Sequence, residues 1–278
     1  MEKAAISEYS RVFTQKAECV LLDLWGRLGE YRDHLVLVGG LAPRYITGMP
    51  GQKDFSASGH CGTLDIDLGI SLAVSETEKY KHIHRILKET GFRYAEGEHG
   101  RKSHSFELDT DVGTIQLDFL TTAYAGPPEK RVLRVEHEIS AIKVPGLGLA
   151  MRAPMKVAVS GKNLKGDLVS EEISVCRPVA FTILKAFAFD GRHKDKDSYD
   201  LVYTLQNYKT GPEAAAAEIL PEDRKEKSFM DGMAILRRRY DSPEHDGPRS
   251  YARFCGGDAA SAYAAVQEFV SAAETPGT

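Results

Sequence analysis

Asp65 and Asp67 stand two residues apart in Gly62–Ser71 (GTLDIDLGIS), inside an otherwise apolar run. In a strand, residues i and i+2 point to one face, so the two carboxylates project together while Leu64, Ile66 and Leu68 turn toward a core. Two carboxylates this close repel each other and are costly to desolvate, and a divalent cation offsets that cost. The plainer alternative is a pair of strand-end acids satisfied by backbone or basic groups. Asp118 is a lone acid in a second β-forming run, Ile115–Leu120 (IQLDFL). Charged residues are seldom buried without a partner. On a strand beside the first pair, Asp118 would complete a three-carboxylate site. Such a site holds one or two Mg2+ ions, activates an attacking hydroxyl and neutralises a departing pyrophosphate. Gly39-Gly40 closes the apolar run His34–Val38. A diglycine there either lets backbone N–H groups approach an anion or simply makes a tight strand-to-helix turn.

These residues need elements to position them. Residues 6–30 read as an amphipathic helix, 34–38 as a buried strand, and 41–46 as a helix start. A Gly/Ser/Pro-rich loop over 47–60 leads into the Asp65/Asp67 strand. Ser75 reads as the N-cap of a helix that stops at Gly91. Residues 92–96, 103–109 and 114–120 alternate as strands, and 130–160 read as further short strands broken by Pro145, Gly146 and Gly148. Helices are expected over 178–189, 197–208, 213–220, 222–239 and 258–273. The pattern is therefore α+β: a mixed sheet with flanking helices over 1–170, then a mostly helical C-terminal domain over 171–278. The division is placed near residue 170, in the Gly/Asn/Lys-rich stretch 160–168.

The chain has 278 residues, 42% of them hydrophobic and 27% charged, with a formal net charge of -4. That balance gives no global attraction to nucleic acid, so an RNA partner would need a local basic patch. Arg237-Arg238-Arg239 is one such run, although a charge run is usually a solvated helix face. His82 and His84 read as solvated positions on a charged helix, and His60-Cys61 lacks further zinc ligands. Cys19, Cys61, Cys176 and Cys255 form no CxxC pair, which fits reduced thiols and a cytoplasmic protein. No apolar run approaches the roughly 18 residues of a membrane span, and no secretory signal is visible.

The order diglycine, Asp-x-Asp on a strand, then a third Asp on a later strand resembles the nucleotidyltransferase superfold of the DNA polymerase beta type, over roughly residues 35–120. A second stretch narrows the likeness. Arg177–Ala186 (RPVAFTILKA) leads into Gly191–Leu201 (GRHKDKDSYDL). With VGGLAP and GTLDIDL, this looks like the AbiEii/AbiGii toxin nucleotidyltransferases, over about residues 35–205. The resemblance implies a nucleotidyltransferase-type sheet, with Asp65, Asp67 and Asp118 holding Mg2+ and Asp118 available as base. It implies that Gly39, Gly40 and Thr63 meet the NTP. Lys185 would contact the triphosphate, a role suited to a compact point charge, and Asp197 or Asp200 would orient it. Many members carry Ser or Thr after the diglycine, where this chain has Leu41-Ala42, so Arg44 or backbone would supply phosphate contacts. The implied activity is transfer of a nucleoside monophosphate from an NTP, with a tRNA 3′ end as acceptor and a cognate antitoxin protein as partner. A small-molecule antibiotic as acceptor, and a non-catalytic binding protein of the same fold, are the alternatives.

Overall fold

A computed structural model describes residues 6, 9–49, 51–55, 59–63, 65–71, 77–98, 100–123, 131–134 and 139–275. Leu64 and Ser75 lie outside the described residues. The chain forms two compact units. One takes its residues from Tyr9–Tyr45 and Pro50–Cys176, the other from Met1–Glu8, Ile46–Met49 and Arg177–Thr278. No helix among the described residues is long and apolar enough to cross a membrane.

The first unit opens with helix α1, Arg11–Leu28. Ser10 starts it, its Oγ accepting the Phe13 amide at 3.0 Å and so satisfying one donor that a helix start leaves unpaired. The helix therefore begins at Arg11, later than the apolar pattern suggests. Ala17, Val20, Leu21, Leu24 and Leu28 recur at helical spacing and are buried. Trp25 is fully buried too, and its Nε1–H donates to the Glu172 carbonyl at 2.8 Å. A 3-10 segment, Gly29–His34, then carries the chain to the first strand.

The strands are β1 Leu35–Val38, β2 Asp65–Ile70, β3 Arg93–Gly97, β4 Gly100–Thr110, β5 Gly113–Thr122, β6 Val132–Arg134, β7 Ser140–Val144, β8 Met155–Lys162 and β9 Leu168–Val175. They join in one mixed sheet of order β3-β4-β5-β2-β1-β9-β8, with β7 beside the far half of β5 and β6 beside β7. Helices α2 Ala42–Ile46, α3 Thr77–Thr90 and α4 Leu147–Met151 connect them. At the centre, β2 runs parallel to β5 and antiparallel to β1. All four residues of β1 are buried, as an unbroken apolar run in a central strand demands. Ile66, Leu68, Ile115, Leu117 and Phe119 alternate out of β2 and β5 into the core. The acids at 65, 67 and 118 alternate with them onto the other face.

Three departures from the sequence expectations have local causes. Residues 147–151 form α4 instead of a strand; in a run as short as LGLAM, strand and helix periodicity are indistinguishable. The stretch 160–168 is the turn of the β8/β9 hairpin. Asn163 Oδ1 accepts the amides of Lys165 and Asp167 there, and Gly166 has φ +88°. Because Val175 pairs with Leu37, β9 belongs to the sheet, and the units divide between Cys176 and Arg177.

The second unit is helical: α5 Pro178–Arg192, α6 Asp195–Asn207, α7 Pro212–Ala216, α8 Lys227–Arg239, α9 Asp246–Cys255 and α10 Ala259–Glu274. Pro178 occupies the first turn of α5, where its missing N–H costs nothing. Phe181, Ile183, Phe189, Leu201, Leu205, Leu236 and Phe269 form its core. Burying each contributes about 1.5–3 kcal/mol. Gly232 lets α8 approach α5, since a Cβ there would lie 2.7 Å from Ile183 Cγ2. Helix α9 was not anticipated because Gly247 and Pro248 in its first turn read as a loop.

Candidate active site

The sheet register brings the three predicted acids together. Asp67 is the Cα partner of Asp118 across the parallel β2/β5 pair, and Asp65 is the partner of Gln116. Side chains at i and i+2 share a face, so Asp65, Asp67, Gln116 and Asp118 form a two-by-two patch. All four are half-buried. The diglycine closes one side of it. Val38 pairs with Asp67, and Gly39 follows at φ +66°. A Cβ on Gly39 would fall 1.8 Å from Asp67 Oδ2, so only glycine lets this carboxylate occupy its place. Gly39 and Gly40 enter a 3-10 turn, Gly39–Leu41, that runs into α2. Three carboxylates converging on one face make an all-oxygen donor set, which fits a hard cation such as Mg2+.

Around the patch the partners are specific. Gln116 Nε2 donates to both oxygens of Asp118, at 3.1 Å and 2.9 Å. Ser105 is the antiparallel partner of Asp118 on β4, and its buried Oγ has no hydrogen-bond partner among the described residues. Burial pushes the neighbouring His104 imidazole below its ordinary pKa, against the opposing pull of Asp118. Gln116, His104 and Ser105 were not singled out from the sequence. Gln116 was the one open to detection, since it sits two residues before Asp118 on an alternating strand.

The other predicted residues lie elsewhere in their units. Thr63 is buried, and its Oγ1 accepts the Asp65 amide at 3.2 Å. Its own amide donates to Thr14 Oγ1 at 3.3 Å, which ties the entry to β2 to the first turn of α1. Arg44 is 2% exposed. Its Nη2 donates to the Phe55 carbonyl at 2.7 Å and lies 3.4 Å from Glu18 Oε2. Glu18 also accepts the Tyr45 hydroxyl.

In the helical unit, Lys185 Nζ donates to Asp197 Oδ1 at 3.0 Å and to Asp200 Oδ2 at 2.7 Å. Arg192 grips Asp197 through Nε and Nη2, at 2.6 Å and 2.7 Å, and Lys196 pairs with Asp200. Burial alone would lower the Lys185 pKa, but Asp200 and Asp197 outweigh it and the ammonium is held charged. For Asp197, Lys185 and Arg192 overcome the opposing effect of burial and hold the carboxyl below its usual range. The expectation that Asp197 or Asp200 orients Lys185 is matched by both of them doing so.

The remaining candidates have structural partners. Arg237 pairs with Glu274, Arg238 with Asp190, and Arg239 with Asp190 and Asp246. His82 and His84 are not simply solvated: each ring nitrogen meets a tyrosine hydroxyl, Tyr31 at 2.6 Å and Tyr94 at 2.8 Å. His60 Nδ1 accepts the Gly62 amide.

A family model described as nucleotidyltransferase matches residues 19–204. Among solved structures, that of the antibiotic-resistance factor ANT(2'')-Ia in solution is similar at 14% identity and a TM-score of 0.37, over 82% of this chain and 95% of that one. No curated protein matches the chain.

Proposed function

Because this chain belongs to the nucleotidyltransferase family and is an enzyme of that type, we propose that it moves a nucleoside monophosphate from an NTP to an acceptor hydroxyl, using Mg2+ held by Asp65, Asp67 and Asp118. One observation carries the reading: the register that sets Asp118 beside Asp67, with Asp65 on the same face. Mg2+ bound there would neutralise the triphosphate and the departing pyrophosphate. The residues of the chain supply the rest. The backbone N–H groups of the Gly39–Leu41 turn bind phosphate oxygens, because a glycine at 39 leaves room beside Asp67. Asp118 accepts the proton of the acceptor hydroxyl, its carboxylate kept ionised by the Gln116 amide. Thr63 supports this geometry by fixing the Asp65 backbone. Lys185, oriented by Asp197 and Asp200, is the proposed triphosphate contact from the helical unit, and Arg44 stays a proposed phosphate residue on the likeness to the family.

For the acceptor, the likeness to AbiEii/AbiGii toxins puts a tRNA 3′ end first, with a toxin role and an antitoxin partner following from it. A small-molecule acceptor is the second reading. It is favoured by the Arg237–Arg239 run, whose guanidiniums are all engaged by carboxylates of their own unit. The test is incubation with each labelled NTP, Mg2+ and either total tRNA or a panel of aminoglycosides. Label on tRNA supports the first reading and label on a small molecule the second. Transfer to neither, with Asp67→Asn indistinguishable from the unaltered protein, would overturn both.

A further inference from the structure

We infer that Gln116 is a positioning residue for Asp118 and sets how tightly the carboxylate patch holds its cation. The inference rests on the metal site proposed above. Within the patch of Asp65, Asp67, Gln116 and Asp118, the Gln116 amide is the one side chain able to donate a hydrogen bond, and it faces three carboxylates. Both of its short contacts go to Asp118. On its far side, Glu107 is its partner across the β4/β5 pair, and that carboxylate is taken by Arg93. The amide is thus left to Asp118.

The chemistry of the position is restrictive. A lysine or arginine at 116 would bring a full positive charge into the patch and compete with a divalent cation for the same oxygens. A glutamate would add a fourth carboxylate and more repulsion. An apolar residue would leave Asp118 free to swing among rotamers. A neutral amide escapes all three: it pins the carboxylate and partly offsets the repulsion, without competing for the cation. Hydrogen-bonded partners of metal ligands are worth about 10- to 100-fold in metal affinity or activity when lost. Ser105, whose buried hydroxyl is the cross-strand neighbour of Asp118, cannot replace the bond, because its Oγ makes no hydrogen bond here.

The experiment is Mn2+ binding to the full chain, followed by electron paramagnetic resonance, in the unaltered protein, Gln116→Met, Gln116→Glu and Asp118→Asn. Gln116→Met keeps the length and loses the donor; its Mn2+ affinity should fall about tenfold at an unchanged melting temperature. In transfer assays its kcat should fall by a similar factor while KM for NTP stays put. Gln116→Glu is nearly isosteric and covers the case in which Gln116→Met fails to fold. It too loses the donor to Asp118, but its added carboxylate can ligate, so its affinity should depart from the parent in either direction. If Asp118→Asn loses Mn2+ while both Gln116 variants bind like the parent, the positioning role is wrong and the metal site stands. If the unaltered protein binds no Mn2+, the metal site fails and this inference fails with it.

Discussion

Gly39 sets the tightest single-residue constraint in the patch. It combines a left-handed φ with a Cα pressed against the Asp67 carboxylate. Gly39→Ala must strain the backbone, at about 1 kcal/mol or more, and also displace Asp67. We expect at least a 100-fold loss of nucleotidyl transfer with a far-UV spectrum like that of the parent; retention of activity would remove Gly39 from the site. Asp118→Asn keeps the shape but loses the charge that serves as base, and should lower kcat by about 100-fold or more. Steady-state kinetics with saturating NTP reads this directly. The sequence showed the acids and the diglycine because charge in an apolar strand and paired glycines are local anomalies. It did not show Gln116, whose meaning comes only from the side chain it touches.

Among the elements, the α5–α6 pair depends on its charges. Asp197 lies between Lys185 and Arg192, and removing it leaves Lys185 buried beside a single remaining acid. Asp197→Ala should destabilise the helical unit by about 3 kcal/mol, measured by urea unfolding. The pH dependence has a defined sign. The Asp197 carboxyl titrates below its unfolded value, so its stabilisation is present above about pH 4 and is lost as pH falls through the folded value. The Lys185 ammonium titrates above its unfolded value of about 10.4, so its share persists through neutral pH and is lost only in strong alkali. Unfolding midpoints across pH 2–7 should therefore drop more steeply at the acid end for the parent than for Asp197→Asn. The start of α5 has a similar anchor. Arg177 grips Asp223 through two bonds of 2.9 Å and 3.1 Å and donates to the Glu218 carbonyl, all of it buried.

On the scale of the whole molecule, the acceptor can be read from ionic strength. A chain with a formal net charge of -4 and its main arginine run internally paired has few free cations for a polyanion. If the acceptor is a small molecule, raising salt from 50 to 200 mM should change its KM only slightly; an RNA acceptor would show a steep, log-linear rise. The order of the two units, their helix or strand character and the acidic centre were fixed by the sequence itself. Periodicity, caps and buried charge are properties of neighbouring residues along the chain. The division at Cys176, the conversion of a presumed linker into the β8/β9 hairpin and the identity of helix α9 were decided by tertiary pairing. So was the site's actual neighbourhood. That Asp118 stands beside Asp67, with Gln116 as its donor, depends on which strands lie side by side and in what register. No spacing along the chain encodes that, because register is chosen by the burial of both strands at once.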